Sequence, residues 1–233
     1  MIKTYFYMKK RTAFIVAILS LIPLGQPSLK TSLVLSTAGL ILSDAKNLYA
    51  EDYEYYFNRA YEKGTKGDYY GAISDFTKAI EINPEFAEAY YNRGWNKGKL
   101  NDNYGAISDF TKAIDINPQY TNAYYNRAIA KDALADYLGS ITDYTKVIEL
   151  NSEDAEAYLN RGYAKDELKD YYGAVADYTK AIEINPGYSK AYKNRSISKE
   201  SIGDINGACL DANKAVSLGD LASDNKIWIE DNC

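Results

Sequence analysis

The stretch AEAYYNRGWNKGKLNDNYGAISDFTKAIDINP, residues 87–118, recurs along the chain in similar form. Its Asn-Arg pair stands at five places, each 34 residues from the next: Asn58-Arg59, Asn92-Arg93, Asn126-Arg127, Asn160-Arg161 and Asn194-Arg195. A fixed period in this range is the signature of a repeat array, in which similar units stack on their neighbours. The fold is therefore predicted from the repeating unit and not from a single motif.

Five copies of the unit align without a gap when its position 1 is set at Tyr53. They span residues 53–86, 87–120, 121–154, 155–188 and 189–222. Each copy has two helical patterns separated by a turn that carries an aspartate at position 16. Pro84, Pro118 and Pro186 follow the second pattern, and proline cannot continue a helix. The sequence predicts an all-α fold with two helices in each unit.

The unit resembles the tetratricopeptide repeat. The matching landmarks are small residues at positions 8 and 20, an aromatic at position 24 and the final proline. The resemblance covers residues 53–222 and implies a right-handed superhelical solenoid of antiparallel helix pairs. It also implies that the first helix of each unit lines a concave groove that binds extended peptides or partner helices. Unit five departs from the pattern at Ala212 and at 218–220, as a terminal capping unit does.

Arginine at position 7 falls on the packed side of the first helix by helical periodicity. A cation there needs a partner, and the second helix carries an aspartate at position 23 in every unit. We expect five structural ion pairs: Arg59–Asp75, Arg93–Asp109, Arg127–Asp143, Arg161–Asp177 and Arg195–Asp211. The alternative is that these arginines bind an anionic ligand.

Asparagine at position 6 points outward by the same periodicity, and asparagine is a poor residue for a helix interior. We expect Asn58, Asn92, Asn126, Asn160 and Asn194 to form a ladder that offers a donor and an acceptor to a peptide backbone. The alternative is that the five copies share this residue only through recent duplication.

Positions 5 and 9 place large apolar side chains beside the predicted ladder. Aromatic residues there suit a surface that binds a protein partner. The predicted partner-binding residues at these positions are Phe57, Tyr61, Tyr91, Trp95, Tyr125 and Tyr163, with Ile129 and Leu159 completing the wall. The alternative is that some of them pack against the next unit, as we expect for the tyrosines at position 4.

Composition excludes several functional classes. The 233 residues include no histidine, which removes imidazole acid–base chemistry and histidine metal ligands. Net charge is −5, and from residue 51 onward 21 basic residues face 31 acidic ones. An acidic body argues against nucleic-acid binding. We expect no catalysis, no cofactor and no metal site.

The first 50 residues differ from the repeats. MIKTYFYMKKR is basic, and TAFIVAILSLIPLG behind it is an apolar run of signal-peptide length. A second apolar run, SLVLSTAGLILS, follows at residues 32–43. We expect residues 1–50 to be either a long signal peptide cleaved after Ala50 or an N-terminal membrane anchor, with the repeats on the extracytoplasmic side.

Cys209 and Cys233 are the two cysteines of the chain. In an exported protein they are expected to form a disulfide that fixes the C-terminal tail, residues 223–233, over the end of the stack, with Trp228 covering apolar surface. The alternative is two unrelated thiols.

Together these features predict a scaffold that binds a peptide or partner protein in its groove, as an adaptor or assembly factor. A self-associating structural protein is the alternative, and an enzyme is the weaker rival because no reactive constellation is present. The partner's identity does not follow from the sequence.

Overall fold

The computed structural model describes residues 53–219, 229 and 233, and within 53–219 the chain forms ten helices and no strand. The helices are α1 (53–65), α2 (Tyr69–Ile82), α3 (Ala87–Lys99), α4 (Asn103–Ile116), α5 (Thr121–Asp132), α6 (Tyr137–Leu150), α7 (Ala155–Glu167), α8 (Tyr171–Ile184), α9 (Ser189–Ser201) and α10 (Ile205–Ser217). Consecutive helices pack on one another along the array. The predicted all-α solenoid of helix pairs is confirmed.

Each second helix begins at the aspartate of position 16, whose side chain accepts a hydrogen bond from the backbone N–H of the glycine at position 19. In the first unit the Gly71 nitrogen lies 2.9 Å from Asp68 Oδ1. A Cβ on Gly71 would lie 2.0 Å from Asp68 Oδ2. Glycine recurs at position 19 because a side chain would displace the carboxylate that caps the helix.

Four of the second helices end at an asparagine whose side chain forms the following turn. The Oδ1 atoms of Asn83, Asn117, Asn151 and Asn185 accept from the backbone nitrogen two residues ahead, at 3.1–3.3 Å. Ser152 follows Asn151 where the other three units have proline, and the turn is the same. The asparagine side chain therefore supplies a turn contact that does not require proline.

Small residues allow the two helices of a unit to approach a ring at position 24. A Cβ on Gly162 would lie 2.7 Å from Tyr178 Cε1, and one on Gly94 would lie 3.0 Å from Phe110 Cε1. Both rings are buried. The small residue at position 8 is thus required by the ring that packs against it.

The aspartate of position 23 is the buried anion of every unit, only 1–4% exposed. The arginine of position 7 holds it with two parallel hydrogen bonds, Nε to Oδ2 and Nη2 to Oδ1, at 2.6–3.0 Å. All five predicted arginine–aspartate pairs are in contact. The lysine of position 11 adds a second cation, with Nζ 2.7–2.8 Å from Oδ2.

The same arginine reaches the preceding unit. From the second unit onward its Nη1 donates to the threonine at position 25 of the unit before, at 2.9–3.0 Å: Arg93 to Thr77, Arg127 to Thr111, Arg161 to Thr145 and Arg195 to Thr179. Its guanidinium also lies over the tyrosine ring at position 4, with Cζ 5.2–5.6 Å from the centroid. The arginine therefore joins the helices within a unit and one unit to the next.

Arg59 is the main cause, with Lys63, that lowers the pKa of Asp75 to about 2. A depressed carboxyl pKa stabilises the fold above the unfolded value of about 3.9. That contribution is lost as the pH falls through about 2.

Units three and four carry a second, half-buried carboxylate, at position 12. Tyr144 Oη donates to Asp132 Oδ2 at 2.8 Å, and Tyr178 Oη donates to Asp166 Oδ2 at 2.7 Å. Burial raises the pKa of both carboxyls. In units one and two position 12 is glycine and the ring is phenylalanine. The hydroxyl at position 24 and the carboxylate at position 12 therefore occur together or not at all in these four units.

Only one of these carboxylates has a donor from the following unit. Ser198 Oγ donates to Asp166 at 2.8 Å. The equivalent residue beside Asp132 is Ala164, and Asp132 Oδ1 is buried without a hydrogen bond. The Ser140 hydroxyl, which also faces Asp132, donates instead to the Tyr137 carbonyl at 3.0 Å.

Cys209 and Cys233 are joined by a disulfide, and the Cys233 nitrogen donates to the Ile229 carbonyl at 2.9 Å. Gly219 follows α10 with a φ of +99°. The rest of the predicted tail, including Trp228, lies outside the described residues, as does the predicted signal or anchor at residues 1–50. Among the described residues no helix is both long and apolar enough to span a membrane.

Replacing Asp143 with alanine should lower the free energy of unfolding by about 3–5 kcal/mol, because Arg127 and Lys131 would stay buried without their anion. The measurement is urea unfolding followed by circular dichroism. Glu149→Ala is the matched control on the same helix. It removes an exposed pair with Lys146 and should cost at most about 0.5 kcal/mol. Unchanged stability of Asp143→Ala would show that the cluster does not hold the fold.

Replacing Ala164 with serine should raise the stability by a net 0.5–1 kcal/mol, roughly, at neutral pH. The new hydroxyl would donate to Asp132 as Ser198 does to Asp166, and this hydrogen bond to a charged group outweighs the lower helix propensity of serine. The gain should fade as the pH falls towards the unfolded carboxyl value of about 3.9, because burial raises the pKa of Asp132 and the carboxyl is protonated first in the folded chain.

Ala130→Ser is the control for this change, because the residue opposite it is Gly98 and offers no carboxylate. That variant should lose about 0.5 kcal/mol to the lower helix propensity of serine. Equal melting temperatures for the two variants at neutral pH would contradict the account of Asp132.

Candidate functional site

The groove face is defined as the surface formed by positions 5, 6 and 9 of the first helices α1, α3, α5, α7 and α9. The sequence placed the predicted partner-binding residues on this face. In the structure the three positions differ in burial and in hydrogen bonding, so they are described separately.

The aromatic rings of position 5 are half-buried and pack on other rings of the array. Phe57 packs on Phe76 with ring centroids 5.5 Å apart, Tyr91 lies 4.9 Å from Tyr120, and Tyr125 lies 5.8 Å from Tyr144. Leu159 is buried. The interpretation of Phe57, Tyr91 and Tyr125 as an open wall is therefore corrected, because each ring already packs against its own unit or the next.

Position 6 uses its amide donors within the protein. Asn126 Nδ2 donates to Tyr91 Oη at 3.1 Å and to the Asn122 carbonyl at 2.9 Å. Asn160 Nδ2 donates to Tyr125 Oη at 2.8 Å. Burial raises the pKa of both tyrosines, so their hydroxyls stay neutral. The ring at position 5 of one unit is thus tied to the asparagine of the next.

The other asparagines differ from these two. Asn92 Nδ2 donates to the Glu88 carbonyl of its own helix at 2.7 Å. Asn194 lies beside the Tyr178 hydroxyl, and Asn58 is exposed. The predicted ladder of equivalent donors is therefore corrected. The amide environments differ from unit to unit because position 5 is tyrosine only in units two and three.

Position 9 carries the exposed apolar side chains of the groove face. Tyr61 is 57% exposed, Ile129 43%, Tyr163 44% and Ile197 51%. Trp95 is half-buried, with Lys99 Nζ 4.8 Å above its ring. Residues 34 apart on stacked helices form a stripe, and such a stripe is accessible to a partner laid along the array.

Two cavities open on either side of Trp95. The first, about 460 Å³, lies between units one and two and is lined by Tyr61, Gly64, Thr65, Phe76, Tyr91, Asn92, Trp95 and Asn96. The second, about 240 Å³, lies between units two and three, with Gly98, Phe110, Asn126 and Ile129 in its wall. Each cavity is lined by a glycine at position 12, Gly64 in the first and Gly98 in the second. In units three and four this position is Asp132 or Asp166, whose carboxylate binds the hydroxyl of the ring at position 24.

Sequence reasoning missed these cavities. The available signal was the change at position 12 from glycine in units one and two to aspartate in units three and four. Its meaning depends on the ring at position 24 and on the following unit, which a single helical wheel does not contain.

The predicted arginines do not line either cavity, since their guanidiniums are held by the buried aspartates. Among the described residues no group of three carboxylate or cysteine side chains is arranged to hold a metal ion. The site offers apolar surface and amide oxygens.

Models of the tetratricopeptide repeat match residues 87–120, 121–154 and 155–188, and a TPR repeat model matches residues 65–98. No curated protein matches the chain. The family matches therefore cover four of the five units in whole or in part.

Solved structures agree with these matches. A MamA protein is 26% identical with a TM-score of 0.70, over 72% of this chain and 92% of that one. A MamA fragment from Desulfovibrio magneticus RS-1 is 19% identical with a TM-score of 0.70, over 74% and 97%.

YrrB, described as a TPR protein with an unusual peptide-binding site, is 20% identical with a TM-score of 0.71, over 81% of this chain and 97% of its own. The fold of these proteins agrees with the array of helix pairs described above. From its repeats, its helix pairs and these matches, the chain belongs to the tetratricopeptide repeat family.

Proposed function

We propose that the groove face binds an extended segment of a partner protein, with the apolar side chains of position 9 as its main contacts. The observation that carries the proposal is the exposed stripe from Tyr61 to Ile197, interrupted by two cavities beside Trp95. Exposed aromatic and aliphatic side chains beside a cavity are typical of the anchors of a protein interface.

The hydrogen-bonding groups of the groove favour a peptide. Three of the position 6 amides use donors internally, so the groove presents mainly amide oxygens, to which backbone N–H groups of an extended chain can donate. YrrB, whose fold is similar, has a peptide-binding site by its description. An adaptor or assembly role would follow from such binding.

The test measures binding of the full-length chain to an array of random-sequence peptides. Trp95→Ala should weaken binding of the positive peptides by about fivefold or more, because aromatic anchors contribute over about 1 kcal/mol. Ile129→Arg, at an exposed position, should do the same without removing a ring from the core.

Tyr104→Ala is the matched control, since Tyr104 is 77% exposed on the second helix α4 and outside the groove face. It should change binding less than about twofold. Peptides that bind both groove variants as well as the wild type would place the binding surface elsewhere and refute the proposal.

A further inference from the structure

The cavity between units one and two contains a buried acceptor without a donor. Asn96 is 3% exposed, and its Nδ2 donates to the Asn92 carbonyl at 2.7 Å. Its Oδ1 is buried and has no hydrogen bond. A Cβ on Gly64 would lie 2.9 Å from this oxygen, so Oδ1 faces the space that a side chain at position 12 would occupy.

A second amide in the same cavity is oriented the same way. Asn92 Nδ2 donates to the Glu88 carbonyl at 2.7 Å, and no described residue donates to Asn92 Oδ1. Only the NH₂ group of an amide can pair with a carbonyl oxygen, which fixes the orientation of both side chains. The cavity therefore presents acceptors and keeps its amide donors turned towards the helix backbone.

Four aromatic rings contribute to the rest of the lining, together with Thr65. Phe76 is fully buried, Tyr91 and Trp95 are half-buried, and Tyr61 is 57% exposed. A volume of about 460 Å³ is within the range of ligand pockets. Flat walls of this kind pack best on another ring, and an unpaired buried acceptor favours a ligand that brings a donor.

We propose that this cavity binds the indole ring of a tryptophan side chain in the partner segment, whose N–H donates to Asn96 Oδ1. Indole is a donor only, whereas a tyrosine hydroxyl would also bring lone pairs that the amide N–H groups here do not meet. A leucine side chain would leave the acceptor unpaired. This inference rests on the proposed binding of a peptide at the groove face.

The neighbouring cavity provides a contrast within the same chain. Its position equivalent to Asn96 is Ala130, so it offers a ring, Phe110, without the buried amide oxygen. The indole assignment therefore applies to the cavity between units one and two.

The test is a ¹⁹F NMR titration of the full-length chain with N-acetyl-5-fluorotryptophanamide and with its 1-methyl derivative, which lacks the indole N–H. The wild type should bind the unmethylated probe about three- to tenfold more tightly, the ratio expected for one buried hydrogen bond.

Asn96→Ala should weaken binding of the unmethylated probe by a similar factor, so that the two probes bind with equal affinity. Alanine occupies the same position in units three and four, so the variant is expected to fold. Asn103→Ala, which alters the neighbouring cavity, should leave both affinities unchanged.

Equal affinities of the wild type for the two probes, or no binding of either, would overturn the indole assignment. The variants distinguish a failure of the indole assignment from a failure of the proposed peptide binding. If Trp95→Ala loses peptide binding while Asn96→Ala and N-methylation have no effect, the groove binds peptides but not through an indole N–H. If the indole titration succeeds but peptides bind elsewhere, the cavity binds indole, and its assignment to a tryptophan of the partner segment is overturned together with the groove proposal.

Discussion

The buried aspartate of each unit is the constraint on which the other contacts depend. A carboxylate removed from water is stabilised only by well-placed partners, and here an arginine fork and a lysine provide them. Because the arginine also donates to a threonine of the preceding unit, one cluster fixes both the helix pair and the stacking of units. Stacking at a fixed spacing is what aligns the position 9 side chains into a stripe.

The two residues of the repeated Asn-Arg pair have different roles, because only the arginine belongs to the buried cluster. Arginine pairs with aspartate inside the array, and the groove face is formed by aromatic rings, aliphatic side chains and amides. Asparagine has a local role in each unit, set by its neighbour at position 5. The units therefore differ on the groove face, above all at the glycines that line the cavities beside Trp95, and the proposed binding would take its specificity from these differences.

The sequence period predicted the features that are the same in every unit. The 34-residue spacing and the helical wheel were sufficient for the helix pairs and for the arginine–aspartate contacts, since both depend on residues in one unit. They were insufficient for Asn126, whose partner Tyr91 belongs to the unit before, and for the cavity at Gly64, which is closed by Asn96 of the unit after. Contacts between units depend on the offset of the stack, which a one-dimensional period does not contain.

The most direct measurement is a ¹H–¹⁵N NMR spectrum of the chain with and without a peptide selected for binding. The sequence contains two tryptophans, Trp95 and Trp228, so two indole signals can be assigned with a Trp95→Phe variant. The account predicts that the Trp95 signal shifts on binding while the arginine Nε–H signals of the buried clusters stay in place. Shifts of Arg93 and Arg127 with an unchanged Trp95 signal would contradict it.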